Sequence, residues 1–159
     1  MSRLEGYLND HLAGSAAAIQ LTERCRDRDP ESDLGQVLQS LRGEIEEDRA
    51  VLERVIIALG GAPNRVKHAG ALAIERLAGL RVTLPVLGAG SAEATRLEEI
   101  EVLSLGIEGK RLLWRALAEV GSDGRLAAFD FPALARRASA QRDRLEPFRL
   151  QLASAAFKD

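Results

Sequence analysis

Between residues 34 and 59 apolar side chains recur at alternating spacings of four and three: Leu34, Leu38, Leu41, Ile45, Leu52, Val55 and Leu59. That period marks one face of an amphipathic helix set into a helical seam. The same rhythm appears on either side of it. Leu4, Leu8, Ser15, Ala18, Thr22 and Cys25 share one face of a helix that opens at Ser2-Arg3-Leu4-Glu5, a capping-box pattern, and ends near Arg28. Asp29-Pro30 reads as the cap and first turn of the second helix, and Gly60-Gly61-Ala62-Pro63 as its stop. A third helix runs from a Ser91 cap to about Val120, with Ile100, Leu103, Ile107, Trp114 and Leu117 on its apolar arc. A fourth opens at Asp130-Phe131-Pro132 and reaches about Phe157 through Leu134, Ala138, Leu145, Phe148, Leu152 and Ala155. Pro147 lies inside it and should bend it.

The connections decide the topology. Short joints make the first and second helices antiparallel, and likewise the third and fourth. About 30 residues separate the second from the third, enough for a short helix over 64–80 followed by a loop through 84–91. A link of that length can travel the bundle and leave helices two and three parallel, the connectivity of ferritin-like bundles. The pattern therefore predicts an all-α single domain over residues 1–159: a ferritin-like four-helix bundle with one long central crossover carrying a short helix.

Composition agrees with that fold class. Alanine and leucine supply 25 residues each, whereas Val, Ile, Thr, Tyr, Phe and Trp together reach only 24, few for a sizeable sheet. Charge narrows the partners. With 22 basic and 24 acidic residues, no net positive charge is available to grip nucleic acid. The longest uncharged stretches, Leu12–Thr22 and Val82–Ala92, fall well short of the roughly 20 residues of a membrane span. One cysteine excludes an internal disulfide framework and fits a reducing cytoplasm, and no apolar signal region follows Met1.

Leu41, Glu44, Glu47, Asp48, Leu52 and Val55, closed by Leu59-Gly60, resemble the second helix of bacterial ferritin-like stress-response proteins. That resemblance implies di-iron chemistry, with one glutamate from each of two helices and a Glu-x-x-His from each of the other two. The chain departs from the pattern at both histidines. Leu8 stands three residues before His11, and Arg65 three before His68, so neither ends a Glu-x-x-His. On the fourth helix the nearest readings are Gln141-x-x-Arg144 and Asp143-x-x-Glu146.

At 100° per residue, each helix contributes one polar residue to the core seam: His11, Asp48, Lys110 and Gln141. In a bundle with the predicted crossover all four lie at one depth. A buried carboxylate needs a cation beside it, and an ammonium serves as well as a metal. Lys110 would then take the electrostatic role of the metals, with His11 and Gln141 completing the hydrogen bonds. The leading expectation is a non-catalytic, structural or stress-associated bundle with no cofactor, its di-metal site replaced by this layer. The alternative is a metal-dependent oxidoreductase or iron-binding protein holding iron or manganese through His11, Glu44, Asp48, Glu101, Glu108 and Glu146. A third reading is a module that binds a small molecule, of unspecified identity, in a groove beside the crossover. The sequence leaves homo-oligomerisation open.

Overall fold

The computed structural model describes residues 2–64, 91–121 and 124–158. Ser2 caps the first helix, α1 (Arg3–Asp27), its hydroxyl accepting from the Glu5 amide at 3.0 Å. The second, α2 (Asp33–Ala58), starts later than the Asp29-Pro30 pattern suggested. Ser32 is its cap, accepting from the Gly35 amide at 3.0 Å, while the Asp29 carbonyl accepts from the Ser32 hydroxyl at 2.7 Å. Pro30 thus belongs to a separate turn that lies over α2. Gly35 is needed there, because a Cβ would collide with the Asp29 and Pro30 carbonyls. The third helix, α3 (Ala92–Val120), is capped by Ser91, and the fourth, α4 (Phe131–Ala156), by Asp130, as the sequence predicts. A single 3-10 turn, Gly124–Leu126, lies between them. Pro147 sits within α4.

Among the described residues the fold is four helices and no strand. Two apolar clusters order them. At one level Leu38 and Leu41 of α2 join Ile100 and Leu103 of α3, Leu21 of α1 and Leu145 of α4. At the other, Leu52 and Val55 join Leu113 and Leu117, with Leu8 of α1 and Phe131 of α4. So α2 and α3 run in the same direction, while α1 and α4 run against them. The expected short helix over 64–80, the loop behind it and His68 fall on residues 65–90, outside the described residues. No helix among the described residues is long and apolar enough to cross a membrane.

The expected face of α1 is met in part, Leu8, Thr22 and Cys25 being buried and Leu4 and Ala18 packing against the core clusters. α1 buries Leu8, Leu12, Ala17, Leu21, Thr22 and Cys25, whereas Leu4, Ser15 and Ala18 are only half-buried. Leucine is more costly than alanine to leave in water, so Leu12 and Leu21 set the rotation of the helix. Ala155 of α4 is likewise exposed.

Candidate functional site

Between the two clusters, three helices each place one polar side chain inward. Asp48 of α2 is 2% exposed and Gln141 of α4 fully buried. Lys110 of α3 reaches both: its ammonium donates to Asp48 Oδ2 and to Gln141 Oε1, at 2.5 Å each. The Gln141 amide is oriented by this arrangement. Its oxygen faces the ammonium, and its nitrogen donates to Asp48 Oδ2 at 3.2 Å and Glu44 Oε2 at 3.0 Å. Arg144 grips Glu44 through both carboxylate oxygens, at 2.6 and 2.7 Å. Arg137 lies over the top, its Nε 3.6 Å from Asp48 Oδ1 and its Nη2 donating to Glu47 at 2.6 Å. Three cations, Lys110, Arg137 and Arg144, thus face three carboxylates, Glu44, Glu47 and Asp48.

The electrostatics follow from burial. Desolvation lowers the Lys110 pKa from the ordinary lysine value, opposed by the charge of Asp48. Burial would raise the Glu44 pKa, but hydrogen bonds from Arg144 and Gln141 outweigh it and hold the carboxyl below its usual range.

His11 does not join the layer. No hydrogen bond links it to Asp48, Lys110 or Gln141, and its ring instead meets Tyr7 edge-on, with centroids 4.7 Å apart. Burial lowers its pKa, against the pull of Asp10. The cause is the rotation of α1: Leu12 occupies the inward direction, and His11 lies 100° aside. Arg49 makes the tie to α1 that His11 does not, donating to the Leu12 carbonyl at 2.7 Å and to Ser15 Oγ at 2.9 Å.

The remaining members of the alternative metal set are dispersed. Glu108 pairs with Arg111 and Arg142, and both Glu101 and Glu146 pair with Arg149. Among the described residues no group of three or more His, Cys, Asp or Glu side chains converges as a metal site would require.

No family model, curated protein or solved structure matches the chain. Its function therefore has to be read from its own side chains.

A second buried charge was missed in the sequence. Glu99 of α3 is only 4% exposed, held by both Arg28 guanidinium nitrogens and by Arg24 at 3.3 Å. Cys25 donates its thiol to the same carboxylate at 3.6 Å. Burial, reinforced by the charge of Glu99, pushes the Cys25 thiol up to about 12. For Glu99, burial works upward, but the hydrogen bond and charge of Arg28 dominate and lower its pKa. The signal was available: Glu99, Leu103, Ile107, Lys110 and Trp114 continue one seam at spacings of four, four, three and four.

Beside the polar layer, α1 and α3 face one another. A groove of about 1100 Å³ opens between them, with Ile45, Asp48 and Leu52 of α2 also lining it. Small residues keep it open, Gly14 and Ala18 on one wall and Gly106 and Gly109 on the other. His11 and Lys110 border it, and so does Trp114, whose indole N–H is buried without an acceptor among the described residues.

Proposed function

We propose that the chain is a non-catalytic bundle of ferritin-like layout in which the ammonium of Lys110 stands where a relative of that architecture would hold its cations. One observation supports this reading above the others. Lys110 Nζ lies 2.5 Å from both Asp48 Oδ2 and Gln141 Oε1, at the level where α2, α3 and α4 all present polar side chains to the core. A fixed cation there neutralises the inward carboxylate, as a metal would, without open coordination positions for oxygen. The parallel course of α2 and α3 suits the one-crossover connectivity of such bundles. A structural or stress-associated role suits such a bundle. Iron or manganese bound through the dispersed carboxylates is the competing reading, and it requires Glu44, Glu101, Glu108 and Glu146 to release their arginine partners.

Elemental analysis of the purified full chain, before and after incubation with ferrous iron in air, separates the two. The expected result is substoichiometric iron, manganese and zinc, and no oxygen uptake beyond that of buffer. About two metal ions per chain with protein-dependent oxygen consumption would overturn the proposal. In that event Lys110→Met should strengthen metal binding by removing a repelling charge.

A further inference from the structure

We draw no further inference here: the strongest candidate, the groove between α1 and α3 bordered by His11 and Lys110, mixes both signs of charge with apolar side chains along its walls, and nothing in the structure shows what covers it.

Discussion

Removing both partners of the Asp48–Lys110 pair should cost about as much as removing either one, and far less than the sum of the two single losses. At 2.5 Å and an effective dielectric constant of about 20, the two charges attract by about 6–7 kcal/mol. Desolvation costs several kcal/mol for each ion, so the intact pair adds little net stability. Lys110→Met leaves the carboxylate of Asp48, 2% exposed, with one hydrogen bond from Gln141 and with Arg137 at 3.6 Å. That residual compensation places the loss near the lower end of the usual range, about 3 kcal/mol. Asp48→Leu leaves Lys110 beside Arg137 with only Gln141 as acceptor. The lysine can then shed its proton, which burial already favours, so this loss is also about 3 kcal/mol. The double variant should lose about 3 kcal/mol, not the sum of about 6, giving a coupling of about 3 kcal/mol. Urea unfolding followed by far-ultraviolet circular dichroism, in chelator near neutral pH, measures all four corners. The milder pair Asp48→Asn and Lys110→Gln serves if a single variant does not fold. Additivity to within about 0.5 kcal/mol would refute the buried pair.

Two further outcomes concern the Glu99 clamp. Its folded pKa is lowered, so its contribution is fully present above the ordinary value of 4.5 and is lost as pH falls through the lowered one. The stability gap between the native protein and Glu99→Gln should therefore be widest near neutral pH and shrink below about pH 4.5; a gap that grows on acidification would contradict the clamp. With the Cys25 thiol held up to about 12 against an ordinary 9.0, alkylation by iodoacetamide near pH 8 should run about a thousandfold slower in the folded protein than in the urea-unfolded chain. A folded-state rate within about tenfold of the unfolded one would exclude that shift.

The helices themselves were legible because leucine and isoleucine dominate their seams. In α2, Asp48 interrupts a strict stripe of large apolar residues, so only one rotation of the helix is acceptable and the aspartate is carried inward with it. Gln141 was legible for the same reason, and Lys110 through its place between Ile107 and Trp114. The extent of α1 was legible as well, but its rotation was less so, since its middle is alanine, glycine and serine over residues 13–18. Small side chains gain little from burial on either face, so the pattern there does not choose a rotation, and His11 was assigned to the wrong side. The carboxylates Glu44, Glu101, Glu108 and Glu146 were open to a metal reading because helical period says nothing about which arginine reaches across. Arg144, Arg142 and Arg149 extend over the gap from α4, a reach set by side-chain length and not by sequence spacing.

Glu99 shows the same gap from the other direction. Its inward position follows from the α3 seam, but its chief partner, Arg28, lies just beyond the end of α1, where periodicity no longer informs. Together the two charged ties do something neither does alone. Lys110 binds α3 to α2 and α4, and Glu99 binds it to the end of α1, eleven residues or about 16 Å away along the helix. Leucine seams tolerate sliding, since one apolar residue can replace another in a neighbouring hole. A slip of α3 by one turn, about 5.4 Å, would keep most apolar contacts but strand both Lys110 and Glu99 without their counter-charges. The buried charges therefore fix the register of α3 against the other three helices, and the spacing of small residues across the groove depends on that register.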